Sequence, residues 1–305
     1  MSPHILMIFL DGVGIGKKDP VHNPFFNVEM KALARLLGGK IPHLRDAHIT
    51  TPAASVVPLN ATLGVPGLPQ SGTGQTALFT GFNAPRLVGK HFGPYPYSTL
   101  KPVIAERSIF RRLLSLGKKP FYANAFPRQF FEYIGSSAKK SRVPVCTMSW
   151  LSSGFELNDA VALSKGRALS SDITNRRWPS LGYPEMPVLT PREAGRRLTG
   201  FVREFDFVLF EYYFTDKAGH AQSMQQAAEV LGELDGLLEG ILSAFDDGSM
   251  LLIMTSDHGN LEDLSTKSHT RNPVPLLAVG SRHRELTSNA ENLTHVVPAI
   301  IKMMN

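Results

Sequence analysis

The 305-residue chain contains one cysteine, Cys146, and two tryptophans. A lone cysteine excludes an intrachain disulfide and favours a reducing compartment. No run approaches the roughly 20 apolar residues needed to span a bilayer. The apolar run Ile5–Leu10 is stopped at once by Asp11 and follows no basic segment, so it is not expected to be a secretory leader of the usual form. The expectation is a soluble, cytoplasmic protein with no membrane partner. Apolar residues make up 43% of the chain and charged residues only 19%, enough for a packed core.

The net charge of +6 is unevenly placed. Residues 86–200 hold 19 Lys and Arg against 7 Asp and Glu, whereas the remainder of the chain is acidic. An acidic frame with a basic middle suits a protein that holds cations and attracts a small anionic substrate. A solvated basic surface, or one that binds RNA or another polyanion, is the competing reading of the same pattern.

Ile5–Leu10, 206–213 and 249–255 read as strands buried on both faces of a parallel sheet, and 274–279 as a weaker strand. Ser223–Ala244 has apolar residues at helical spacing and supplies a βαβ crossover. Helices are also expected over 104–116, 191–203 and 293–304, a short strand over 120–123, and loop over the proline-interrupted 165–190. The predicted fold is α/β, a mixed or mostly parallel sheet sandwiched by helices. The predicted organisation is a discontinuous metal-binding core, 1–85 plus 190–305, interrupted by a basic cap at 86–189.

Polar clusters stand at the strand ends. Asp11 follows the first strand, Asp216 and His220 (TDKAGH) the second, and Asp257 and His258 (SDHGN) the third, while His269 precedes the fourth. Ligand sites of open α/β sheets lie outside the carboxyl ends of the strands, so these clusters are expected at one edge. Asp216 and His220 are four residues apart, so on one helical turn they face the same way. Three aspartates and three histidines without cysteine favour Zn²⁺, Mn²⁺ or Fe over a soft-metal site. Ser71 opens a small-residue turn, SGTGQT, and would sit at a helix N-terminus that favours anions. A serine so placed is a candidate nucleophile.

Several other motifs carry less. Gly12, Gly14 and Gly16 lack the spacing of a dinucleotide fingerprint, and SGTGQT lacks the Gly-Lys-Ser/Thr ending of a P-loop. Cys146 reads as a small buried hydrophobe. Arg86, Lys90, Arg128 and Arg142 are candidate substrate-phosphate partners. Phe126, Phe130 and their aromatic neighbours read first as packing and second as a substrate-stacking wall.

The ordered set DGVGIG (11–16), QSGTGQ (70–75), TDKAGH (215–220), TSDHGNLED (255–263) and HTRNPVP (269–275) resembles the alkaline phosphatase superfamily. The resembling branch contains cofactor-independent phosphoglycerate mutase and phosphopentomutase. The resemblance implies two divalent metal ions, Mn or Zn in first place with Mg or Fe also admitted. One would be held by Asp216, His220 and His269, the other by Asp11, Ser71, Asp257 and His258. It further implies phosphoryl transfer through a phosphoserine on Ser71. Gln75 departs from the histidine that the mutases carry, and the middle of the chain is shorter than their inserted domains. These departures tilt the expectation toward a phosphohydrolase, with a phosphomutase of a small phosphorylated metabolite as the alternative.

Overall fold

The structure, a computed structural model, describes residues 2–136 and 142–305. Its strands are β1 His4–Leu10, β2 Ile49–Thr50, β3 Ala54–Leu59, β4 Pro120–Tyr122, β5 Asn124–Ala125, β6 Leu169–Ser170, β7 Phe207–Tyr212, β8 Met250–Ser256 and β9 Val274–Val279. Seven of them form one sheet in the order β2-β3-β9-β8-β1-β7-β4, and β5 pairs with β6 separately. β8, β1, β7 and β4 run parallel, while β9 is antiparallel to both β8 and β3. The sheet is thus mixed, with helices on both faces, as the α/β pattern predicts.

The continuous apolar runs follow from burial on two sides. Ile5, Met7 and Phe9 of β1 enter one core cluster, and Leu6, Ile8 and Leu10 enter the other. β8 divides the same way, with Leu251 and Ile253 on one face and Leu252 and Met254 on the opposite face. Met224–Ser243 forms the expected long helix and packs beside Pro191–Val202, whose Thr190 and Glu193 make a reciprocal capping box.

The stretch 104–116 is not one helix. It divides into Lys101–Arg107 and Ile109–Ser115 because Ser108 adopts extended ψ and its hydroxyl accepts from the Arg111 N–H. The expected loop at 165–190 contains β6 and a 3-10 turn at Pro179–Leu181. Residues 86–189, expected as an inserted cap, also build the core: β4 pairs with β7, and Ile104, Phe110, Val145 and Trp150 share a cluster with β1. A smaller cluster around Ala125, Leu163, Ala168, Trp178 and Met186 stands apart from it. Residues 137–141 of the expected cap lie outside the described residues. Among the described residues, no helix is long and apolar enough to cross a membrane.

Candidate metal centre and nucleophile

All seven sequence-predicted ligands meet at the carboxyl edge of the parallel strands. Asp11 follows β1, Asp216 and His220 lie on the Phe214–Ala221 helix after β7, and Asp257 and His258 follow β8. His269 arrives at the same edge because β9 runs antiparallel, so the residues before it lie beside the end of β8. The Asp11 turn requires Gly12, whose φ is +70° and whose added Cβ would stand 2.5 Å from Asp216 Oδ1. That turn is also tied to the others, with Val13 N donating to Ser256 Oγ at 2.9 Å and Leu261 N to Gly12 O at 2.9 Å.

Ser71 is the first residue of the helix Ser71–Thr80, which is buried throughout and has no side-chain cap. Its small residues allow close approach, since a Cβ on Gly72 would stand 2.2 Å from Tyr95 O. The Ser71 hydroxyl lies 3.0 Å from His258 Nε2. The same nitrogen is 3.2 Å from Asp11 Oδ1 and 3.6 Å from Asp257 Oδ2. On the neighbouring side, His220 Nε2 is 3.3 Å from Asp216 Oδ2 and 3.3 Å from His269 Nε2, and His269 Nε2 is 3.8 Å from Asp216 Oδ1.

The donor set fits divalent cations on its own chemistry. His220 Nδ1 and His269 Nδ1 each lie 2.8 Å from a backbone carbonyl, of Lys267 and Pro69 respectively. A carbonyl only accepts, so Nδ1 carries the hydrogen and each Nε2 turns a lone pair inward. Two such lone pairs facing each other beside a carboxylate repel unless a cation lies among them. Asp11 Oδ1 and Asp257 Oδ2 are buried without a hydrogen-bond partner, although both lie within ion-pair range of His258, whose Nε2 is engaged by Ser71. Two triads, Asp11–Asp257–His258 and Asp216–His258–His269, place their ligand atoms within 4.8 Å of one another.

Electrostatics describe the same strain. Burial, then the Asp11 and Asp216 charges, push the Asp257 carboxyl well above its usual range against the pull of His258. His258 is opposed by burial, but Asp257 and Asp11 outweigh it and raise the imidazole to about 10. Burial and the His258 charge lower His269 to about 4. Without a cation, the Asp257–His258 pair therefore retains a proton at neutral pH.

Two carboxylates escaped the sequence reading. Glu262 is 1% exposed and accepts from Gly14 N and Asn260 N at 2.8 Å, from Asn272 Nδ2 at 3.0 Å and from the Thr270 hydroxyl. It therefore joins the three ligand-bearing loops, and only its place in TSDHGNLED signalled it. Glu262→Gln turns an amide donor toward these donors. The variant is expected to bind metal about 10- to 100-fold more weakly in a titration of stripped protein. It is also expected to be less stable by about 1–3 kcal/mol in denaturant unfolding.

Glu211 lies inside β7, masked in the sequence by the apolar run around it. Burial raises it to about 7, against the Tyr122 hydroxyl that donates to it at 2.5 Å. A raised carboxyl pKa means the native state holds the proton longer, so stability is full below the unfolded value and falls as pH rises toward 7. Glu211→Gln is expected to remove roughly 3 kcal/mol of this pH dependence between pH 4.5 and 7.5. Unfolding curves of both proteins across that range measure it.

Asp11, Ser71, Glu211 and Asp216 open onto a cleft of about 560 Å³. Among the described residues, its cationic side chains are Arg177 and Lys217, both set on the Phe214 ring, at 4.2 and 4.9 Å. Burial, then the Arg177 charge, lowers the Lys217 ammonium from its ordinary value. The predicted phosphate partners are elsewhere. Arg86 is exposed on the Ala84–Val88 helix, and Lys90 lines a separate depression with Gln70 and Phe92. Arg128 is exposed and pairs with Glu132 at 3.2 Å, while Arg142 is exposed and its carbonyl accepts from the Tyr133 hydroxyl. None of the four lines the cleft. Among the described residues, Arg177 and Lys217 line the nucleophile's cleft instead; no spacing rule links them in sequence.

Residues 191–305 match the Metalloenzyme superfamily. The chain is similar to the 2,3-bisphosphoglycerate-independent phosphoglycerate mutase of Antithamnion sp., 28% identical over 131 residues, which are 38% of this chain and 26% of that protein. The matched stretch thus spans about a quarter of the relative's length. Among solved structures, the PH0037 protein from Pyrococcus horikoshii aligns with a TM-score of 0.60 at 15% identity, over 100% of this chain and 97% of the other. Alkaline phosphatase from the Antarctic bacterium TAB5 aligns at 0.54 and 14% identity, covering 100% and 99%. The fold is therefore that of alkaline phosphatases. Together with the C-terminal match and the mutase relatives, it supports an alkaline phosphatase-superfamily metalloenzyme.

Proposed function

We propose that the chain is a two-cation phosphohydrolase in which Ser71 is the nucleophile. The observation that carries this reading is the Ser71 hydroxyl, 3.0 Å from His258 Nε2, at a helix N-terminus without a side-chain cap and beside two convergent ligand sets. Asp11, Ser71, Asp257 and His258 would hold one ion, and Asp216, His220 and His269 the other, with Mn²⁺ or Zn²⁺ suited to the mixed oxygen and nitrogen donors. Bound cations supply Lewis-acid stabilisation of the charge on the nucleophile and the transferring phosphoryl group.

The residues of the chain do the rest. Helix N–H groups at Ser71 and the Arg177–Lys217 pair attract and orient the phosphate dianion. Ser71 Oγ attacks phosphorus, the bond to the departing alcohol oxygen breaks, and the serine proton ends on the released alcohol. Water then attacks the phosphoserine, the Oγ–P bond breaks, and Ser71 recovers a proton as inorganic phosphate leaves. The lone buried Cys146 supports a cytoplasmic setting.

A second reading, a phosphomutase of a small phosphorylated metabolite, is favoured by the mutase relatives. The two differ in product. Protein stripped by chelator and reloaded with Mn²⁺ or Zn²⁺ is expected to release inorganic phosphate from phosphate monoesters. Isomerised ester without phosphate release would favour the mutase. Metal-independent, salt-sensitive binding of RNA without turnover would favour the polyanion-binding reading instead.

A further inference from the structure

We propose that the cleft takes a phosphate ester whose alcohol half is a flat, apolar ring system, seated against Phe126 and Phe130. The inference rests on the phosphoryl-transfer reading and names its substrate class.

The helix Arg128–Gly135 is strongly amphipathic in sequence, RQFFEYIG, yet none of its residues is buried. An amphipathic helix gains its stability by covering its apolar face, and here Phe130, Phe131, Tyr133 and Ile134 are only half-buried, so that face is partly covered. Phe130 belongs to that face and lines the cleft that contains Ser71 and Asp11. It stacks on Phe126, also a lining residue, with ring centroids 4.5 Å apart and planes 26° apart.

The helix is held in place by polar contacts at its start. Arg128 N donates to the Tyr183 hydroxyl at 2.9 Å, and Gln129 Nε2 donates to Leu181 O at 2.8 Å. These bonds join it to the turn that supplies Trp178 and Leu181 to the same cleft. Phe126, Phe130 and Leu181 form an apolar stretch of the lining, which elsewhere holds Tyr95, Thr147 and Ser171. A polyhydroxylated or carboxylated group seated against the two rings would find no hydrogen-bond partner in them. A planar ring would gain area and offset-stacked contact, and would complete the burial of the helix. The charge at the site is complementary to such an ester, because Arg177 and Lys217 line the same cleft and suit the phosphate.

Phenyl phosphate and 2-naphthyl phosphate have similar leaving groups and differ in flat apolar area. With metal-loaded full-length protein, KM for 2-naphthyl phosphate is expected to be about tenfold below that for phenyl phosphate, and in Phe130→Ala the ratio is expected to fall toward one. The ratio is internal to each protein, so a partly unfolded variant still reports it, and Phe126→Leu gives a second probe of the wall. A ratio near one in the parent, or one unchanged in Phe130→Ala, would overturn the ring site while leaving phosphoryl transfer in place. If no ester turns over, quenching of tryptophan emission by 2-naphthylmethylphosphonate against methylphosphonate decides. A Phe130-dependent preference for the naphthyl compound upholds the ring site and places the failure on the chemistry. Equal binding, or none, overturns the ring site.

Discussion

Ser71→Ala is expected to lower kcat for phosphate-ester hydrolysis by about three orders of magnitude or more while the protein still takes up metal. The size follows from what the residue does. Removing the only atom to which phosphorus bonds in the first step leaves no partial version of that step. Binding survives because the three carboxylates and three imidazoles of the ligand sets do not depend on the hydroxyl. His258 loses its 3.0 Å partner at Nε2, but Asp11 and Asp257 remain within 3.2 and 3.6 Å. Single-turnover assays with metal content measured on the same sample separate the two effects. A variant that keeps full activity removes Ser71 from the reaction.

The second large effect is a reversal of sign in Asp257→Asn. Asp257 is fully buried and Oδ2 has no hydrogen-bond partner, so in stripped protein the carboxyl must either carry a buried charge or hold a proton that the unfolded chain has released, and both are costs. The isosteric amide needs neither, and the stripped variant is expected to be more stable than stripped parent at neutral pH by about 1–3 kcal/mol. With metal the order reverses, because a ligand is lost and affinity is expected to fall by about 100-fold or more.

The pH dependence gives an independent readout. His258, raised to about 10, and the raised Asp257 both keep protons in the native state that the unfolded chain releases earlier. The His258 contribution to stripped parent is therefore expected to be full below about pH 6.5 and lost as pH rises toward 10, while that of Asp257 begins to fall above its unfolded value of about pH 4. His269, lowered to about 4, acts in the opposite sense only between about pH 4 and 6.5. Thermal melts of stripped and loaded proteins at pH 7 and pH 9 test both claims. Equal slopes in stripped parent and stripped Asp257→Asn would contradict the buried-carboxyl account.

What the sequence reveals and what it hides have separate physical causes. Ile5–Leu10 ending at Asp11, and SDHGN after a second apolar run, are local signals: a strand buried on both faces must be apolar, and polar residues at its end have a purpose. The position of His269 is legible only as a motif, because nothing local says that β9 is antiparallel. β3 carries Pro58 opposite Pro275 of β9, two residues without N–H donors, and so lacks a strand signature. The helix break at Ser108 hinges on one hydroxyl turning back on its own backbone. Arg177 and Lys217 are the opposite case. They are ordinary cations in sequence, and only the approach of the 172–183 turn to the Phe214–Ala221 helix makes them neighbours. Arg86, Lys90, Arg128 and Arg142 fulfilled the same compositional expectation and lie outside the cleft. Charge counts find the basic region; long-range folding chooses which of its members face the site.

The most direct test of the account is chemical trapping. Metal-loaded protein mixed with a phosphate monoester, quenched in acid within a turnover and digested, should yield one phosphorylated peptide carrying the group on Ser71. The same peptide should be unmodified in protein stripped of metal and in Ser71→Ala. Steady turnover with no phosphorylated peptide, or with the group on another residue, would contradict Ser71 as the nucleophile.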